Sequence, residues 1–355
     1  MIFEDNIKSR ILGGGIISII SSIHFLLTGK STNITNTYFK IIKPKDFIIN
    51  ISFFLGMIFS TSFFYNYYKS WYYFFEIRMY YPSYLSITGF ILSGFLIGFG
   101  SKMTKGCFIK HSLNGISNLN KRSLIISIIM IISFFIFSYL KNKYNWLIYD
   151  NSLDPKIDQW ESDIVNKVFF FASFIIEICF GFYYLFFQQI KDFLFPFIYF
   201  ISGMIFAYGE LLLNITKRHD VIQSFLILNN NWNYQIFIGI ITSIIINLIL
   251  YQLIINFKKK PFLNNEFKTP KRNNIDLFLF IGSIIYGAGI GLSGIFTGTC
   301  ISLSYIYMPR SLIFLFMISI GLYLEFFLDK YINKVNIGDN YVTLLNNDND
   351  DDEDD

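Results

Sequence analysis

Gly94-Phe95-Leu96-Ile97-Gly98 is followed nine residues later by Cys107, and Gly287-Ala288-Gly289-Ile290-Gly291 is followed nine residues later by Cys300. The first glycine, the last glycine and the cysteine of one group map onto the other at a single offset of 193 residues. A weaker echo joins the segment from Gly14 to Lys30 with that from Gly203 to Lys217. In each, a glycine-bearing apolar stretch runs into a short polar stretch with Thr and Lys. Two halves of this kind predict a membrane protein assembled from structural repeats with glycine-broken segments. Glycine lets helix backbones approach closely and permits the tight turn of a hairpin that enters and leaves the bilayer on one side. Irregular backbone persists at membrane depth only where it lines a cavity or is buried in protein.

The composition agrees. The chain has 355 residues, 53% of them hydrophobic and 15% charged, against about 25% charged in an ordinary soluble domain. Its mean hydropathy is +0.47. One soluble core cannot hide so much apolar surface, and three cysteines are no disulfide framework. The net charge of +4 lies between apolar runs rather than on one face, so nucleic acid is not an expected partner. A span needs about 20 mostly apolar residues. Nine segments are read as spans: 11–28, 47–65, 84–100, 123–140, 168–187, 193–213, 235–257, 275–293 and 311–328. The first lacks a small-residue cleavage site and reads as a retained helix. With the amino terminus outside, 18 of the 29 Lys and Arg fall on the inner side, which supports that orientation. It puts the acidic loop from Asp150 to Asp163 outside and Lys258-Lys259-Lys260 inside.

The fold class expected is therefore all-α and polytopic, an integral multi-pass membrane protein with the lipid bilayer as a partner. Two related halves with glycine-broken segments supply about nine spanning helices. Residues 1–150 form the first repeat, with the Gly-Cys hairpin, and 151–330 the second. Residues 331–355, an Asn- and Asp-rich tail, are expected to be disordered.

Candidate chemistry clusters where the spans break. Cys107 lies in Gly106-Cys107-Phe108-Ile109-Lys110-His111-Ser112. A thiol there offers a soft anion a weak hydrogen-bond donor at little desolvation cost, and Lys110 and His111 supply positive charge. Cys300, in Gly298-Thr299-Cys300, is the matching thiol. Helix ends suit an anion, and Ser31, Thr32, Thr297 and Thr299 offer hydroxyls in place of lost hydration. Glu210, against an apolar run, is a functional candidate as an intramembrane ionisable group. Glu177 and Glu325 are weaker candidates. His24 reads as a packing residue, and Cys179, inside Ile175–Phe182, as a small core residue. Three scattered histidines, no HExxH or CxxC, no Walker loop and no Gly-x-Ser-x-Gly elbow leave no enzyme signature. Neither catalysis nor a metal or cofactor is expected.

At these motifs the chain resembles the YeeE/YedE family of membrane proteins, which includes bacterial thiosulfate transporters. The most specific likeness runs from Gly94 to Gly100 and on through Gly106-Cys107, His111, Gly115 and Lys121-Arg122-Ser123. Ser202 to Gly209, Val221 to Leu226 and Trp232 resemble the opening of the family's second half. Asp276 with Gly287 to Gly294 resembles its last glycine element, and Gly13-Gly14 through Gly29 its first. The resemblance covers roughly residues 11–328. It implies two related inverted halves with re-entrant helical hairpins meeting near the midplane, and thiols along a narrow path for a sulfur-containing anion, with Cys107 central. Thiosulfate is the expected solute and an intracellular sulfur-carrier protein an expected partner. A family cysteine falls at Phe296 here, and this chain's own follows four residues later at Cys300. Readings kept beside this one are another small anion such as a selenium species or sulfite, a membrane-embedded thiol redox enzyme, and a structural partner of another membrane protein.

Overall fold

A computed structural model describes residues 7–41, 47–67, 85–144, 147, 163–187, 190–228, 232–268, 276–305 and 310–350. Among these the backbone is helical, without a β-strand. The long helices are α1 (Ile7–Thr28), α3 (Phe47–Tyr67), α4 (Ile87–Met103), α5 (Lys121–Tyr144), α6 (Asp163–Phe187), α7 (Ile190–Leu213), α9 (Gln235–Phe257), α10 (Leu277–Ser293) and α12 (Arg310–Asp350). Between them lie three short ones, α2 (Ile34–Lys40), α8 (Arg218–Phe225) and α11 (Thr297–Ser302), and a π-helical turn, Lys110–Gly115. Each expected span overlaps a long helix within the described residues, with 84 and 275 lying outside them. The acidic stretch expected to be disordered continues α12 as helical backbone to Asp350. The expected outer loop from Asp150 lies outside the described residues up to 162.

Among the described residues, six helices have both the length and the apolar character to cross a membrane: α1, α3, α5, residues 194–213 of α7, α9, and α12 as far as Tyr331. Helices α4 and α10 are equally apolar but have 17 residues each, about 25 Å of helix. The burial pattern is that of a protein dissolved in lipid. Outward-facing stripes at helical spacing are apolar: Leu124, Ile128, Ile132 and Ile136 on α5, and Ile241, Ile245 and Ile249 on α9. The interior is rich in small polar groups, among them Ser18, Ser21, Ser22, Ser93, Asn114, Asn247 and Ser283. In water this would be inside out. In a bilayer the tails accept the apolar stripes, and helices associate through small residues and interhelical hydrogen bonds. The chain is a multi-pass integral membrane protein.

The helices pack in two connected groups. α1 packs on α7 and α9, and α7 in turn on α3. α4 packs on α10 and α12, and α10 in turn on α5. α6 lies against α3 and α7. The glycines mark these seams. Cβ atoms at Gly94 and Gly291 would lie 2.7 Å from Phe314 O of α12 and 2.8 Å from Phe134 O of α5, so neither seam admits a side chain. Each helix that precedes a short element ends in the left-handed region: Gly29 (φ 68°) after α1, Lys105 (φ 62°) after α4, Asn214 (φ 65°) after α7 and Gly294 (φ 68°) after α10. That conformation stops a helix in one residue and redirects the chain. Glycine adopts it freely and asparagine tolerates it, whereas lysine is strained there.

Candidate functional site

After Lys105 the chain is pinned by two interior bonds. Gly106 N–H donates to Ser101 O at 2.8 Å, and Thr104 Oγ1 donates to Gly106 O at 2.7 Å. Cys107 follows at once, 3% exposed. Its thiol points to Asn33 Oδ1 at 3.6 Å, the same oxygen that caps α2 by accepting from Asn36 N–H at 3.3 Å. The thiol therefore sits at the amino end of α2 and at the start of the next short helical segment.

Beside it opens a polar cavity of about 220 Å³. Its basic wall is Lys102, Lys105 and Lys110, with Gly106 between them, and Glu325 and Asp329 of α12 stand opposite. Lys110 donates to Lys105 O across the turn. Burial lowers Lys110 from the ordinary lysine range, while the neighbouring Cys107 works the other way. Gly106 leaves room for this side chain, because a Cβ there would meet the Lys110 stem. Lys102 also lies 4.1 Å from the centre of the Phe39 ring on α2, a cation–π contact that fixes it on the cavity rim.

His111 is turned away from this wall. Its Nε2 faces Thr104 O at 3.1 Å and its Nδ1 faces Ser123 Oγ at 3.2 Å, both inside the protein. Through these two contacts His111 ties the turn to α5. Asn114 does the equivalent work on the other side. Its side-chain oxygen accepts from Ser21 Oγ at 2.9 Å and Tyr251 OH at 2.8 Å, and its nitrogen donates to Thr32 O at 2.6 Å and Thr32 Oγ1 at 3.0 Å. Asn247 of α9 reaches Leu113 O and Ser117 Oγ, each at 2.9 Å. The π turn is thereby held by α1, α9 and the segment leading into α2. Ser31 is half-buried in that segment and Thr32 fully buried.

The second thiol occupies a drier place. Cys300 is 6% exposed on α11, with Ser311 O at 3.8 Å. Thr299 Oγ1 donates to Phe296 O at 2.8 Å. Thr297 Oγ1 and both carboxyl oxygens of Glu210 are buried without a hydrogen-bond partner. Glu210, on the last turn of α7, is wholly buried. It rests against Gly298, where an added Cβ would lie 2.6 Å from Glu210 Oε1 and 2.9 Å from Ile34 Cδ1. α2 thus joins the two clusters: Asn33 faces Cys107, and the next residue, Ile34, faces Gly298.

Residues 195–336 match a family model described only as a family of unknown function, DUF6691. The match covers α7 through the apolar part of α12, and so includes Glu210, Thr297 and Cys300 but not Cys107. No curated protein matches the chain.

The structure assembles Gly106, Cys107, Lys110 and Thr32 on one side of α2, and Glu210, Thr297, Thr299 and Cys300 on the other. Lys102, Lys105, Asn33 and Asn114 complete the first cluster and were not read from sequence as site residues. A cue was present for Asn114, because Asn247 and Tyr251 stand four apart on one face of an otherwise apolar helix and need a polar partner. His24 is a packing residue as expected, paired with Ser202 Oγ at 3.1 Å and edge-on to Tyr199. Cys179 is not in the core: it is exposed, on an apolar face of α6 shared with Ile175, Ile178 and Phe182. A small residue in an apolar run is equally at home against lipid, and periodicity alone does not choose the side.

Proposed function

We propose that the chain carries a small sulfur-containing anion, thiosulfate foremost, across the membrane along a path between two related halves of opposite orientation. The observation that carries this reading is the pair of buried, unbridged thiols, each on a short element that interrupts the bundle, one of them beside a lysine-walled cavity. A bare anion in hydrocarbon is prohibitively costly. Three lysines, polarised hydroxyls and a thiol that costs little to desolvate meet that need without binding the anion too tightly to release.

The helix packing supports the two halves. Exchanging α1 with α7, α2 with α8, α3 with α9, α4 with α10, the π turn with α11 and α5 with α12 turns each principal packed pair into another observed pair: α1–α9 becomes α7–α3, α4–α12 becomes α10–α5, and α1–α7 and α4–α10 map on themselves. The four left-handed helix ends fall at matching places. If every long helix crosses, five crossings precede the second half, an odd number, and the halves run in opposite senses. α6 is then the unmatched helix that inverts the second half. The lysine excess puts the Cys107 cavity on the inner side. In this register Ser31, Cys107 and Phe296 each stand two residues beyond a left-handed residue. That agrees with the YeeE/YedE likeness, with serine and phenylalanine at the places where those transporters carry their other cysteines.

Uptake of labelled thiosulfate by a sulfur-starved host tests the reading. Cys107→Ala is expected to abolish uptake, and Cys107→Ser to retain a part. Unchanged uptake in Cys107→Ala would remove the thiol from the mechanism. Competition by sulfite and by selenium oxyanions ranks the solutes, and reconstituted chain that moves none of them would favour a structural role.

A further inference from the structure

Glu210 has no use in the path as described. It is wholly buried at the meeting of α7, α11 and α2, and neither carboxyl oxygen has a hydrogen-bond partner. The neighbouring Thr297 hydroxyl is also buried and unpartnered. Native interiors rarely leave such groups unsatisfied, and each exception needs a reason. The titratable or charged groups on the elements packed around it include Lys8, Arg10 and His24 of α1, Tyr38 and Lys40 of α2, Tyr65 and Tyr67 of α3, Lys167, Glu177, Cys179 and Tyr183 of α6, Tyr251 of α9 and Cys300 of α11. None forms a hydrogen bond or an ion pair with Glu210. Arg10 is turned to Leu212 O at 3.1 Å, His24 to Ser202, and Tyr251 to Asn114. An ionised carboxylate has nothing there to balance it, and too few oxygens gather to replace the shell of a metal cation. A protonated carboxyl is the one form that fits.

We infer that Glu210 is the proton-carrying site of the transporter, loading a proton in the closed arrangement seen here and releasing it when α11 moves away. This inference rests on the transport reading and gives that transport its driving ion. A proton carried with thiosulfate, a dianion, offsets half of its charge and leaves one net negative charge to move per cycle, and a neutral Glu210 is the group that can carry that proton. Gly298 is the contact that makes the site sensitive to α11: any side chain there would press on the carboxyl.

The test uses purified full-length chain in proteoliposomes with thiosulfate as the probe, an imposed pH gradient, and infrared spectra of the same samples. With the membrane potential clamped at zero, wild-type uptake is expected to rise with an inward proton gradient, toward about tenfold accumulation per pH unit for one proton per cycle. Glu210→Gln, which copies the shape of the protonated acid, is expected to lose that stimulation and to bring no protons into the lumen. A carboxylic-acid C=O band should be present in the wild-type spectrum at neutral pH and lose its Glu210 component in Glu210→Gln, seen as a negative peak in the difference spectrum. Wild-type uptake indifferent to the gradient, or a variant still driven by it, would overturn the inference and leave the transport reading standing. Absence of thiosulfate uptake under every gradient would overturn the transport reading instead. The infrared band then decides the proton site alone: its presence in the wild type and loss in the variant support it, and its absence from the wild type overturns it.

Discussion

Gly14 and Gly15 are adjacent on α1, yet alanine should act on them in opposite directions. A Cβ at Gly14 would be driven into the Gly239 carbonyl of α9, 3.1 Å from its carbon and 3.3 Å from Ser243 N. Backbone cannot swing aside as a side chain does, so α1 and α9 must part by about 1 Å to restore normal contact. That opening strains the two hydrogen bonds that zip the same seam, Ser18 Oγ to Ser243 O at 2.6 Å and Ser22 Oγ to Asn247 Oδ1 at 3.0 Å. Overpacking costs about 1–3 kcal/mol, and interhelical hydrogen bonds in a bilayer are worth about 0.6 kcal/mol each. The helix-propensity gain of alanine over glycine returns at most about 1 kcal/mol, leaving a net loss of roughly 1–3 kcal/mol. At Gly15 the added methyl meets only Ile246 Cδ1, at an ordinary 3.6 Å. Gly15→Ala should therefore be neutral or gain up to about 1 kcal/mol. Unfolding of the purified chain in mixed micelles with rising dodecyl sulfate, followed by circular dichroism, measures both. A Gly14→Ala variant as stable as wild type, or a Gly15→Ala variant as damaged as Gly14→Ala, would refute the packing argument.

Two further outcomes are expected. Asn114→Ala deletes four hydrogen bonds and, at about 0.6 kcal/mol each, should cost roughly 2 kcal/mol in the same unfolding assay; a loss under about 0.5 kcal/mol would show that the π turn is held by something else. In folded chain in detergent, a small apolar maleimide that partitions into the micelle should label Cys179 and spare Cys107 and Cys300 until the protein is unfolded, since of the three only Cys179 lies on the outer face; mass spectrometry that finds Cys107 labelled first would contradict its buried position.

The long helices were legible because a bilayer imposes a length and a polarity that a run of residues either meets or does not. The left-handed breaks at Gly29 and Gly294 were half-legible, as glycines after apolar runs. Those at Lys105 and Asn214 were not, because nothing local marks a lysine that must take positive φ. Arg10 shows the other limit. Sequence placed it before the first span, yet it is buried inside α1 and donates to Leu212 O, a carbonyl freed by the end of a helix some two hundred residues away. A helix end satisfied by a distant cation is invisible to any window along the chain. Cys107 and Cys300 were both singled out, but their different surroundings were not: one faces the Asn33 amide next to a residue of the lysine-walled cavity, the other lies on a buried short helix with an unpartnered acid nearby.

That difference constrains the order of events along the proposed path. On the proposed path an anion at Lys102, Lys105 and Lys110 is stabilised by their positive charge and kept from binding too tightly by Glu325 and Asp329 opposite. To reach Cys300 it must come within two residues of Gly298, against which the Glu210 carboxyl lies. Two negative charges brought together in so dry a place repel far more strongly than they would in water. The anion can therefore occupy the second cluster only while Glu210 holds its proton. Under the proposal, occupancy of the far site thus requires a protonated Glu210, the form its unpartnered, buried carboxyl favours.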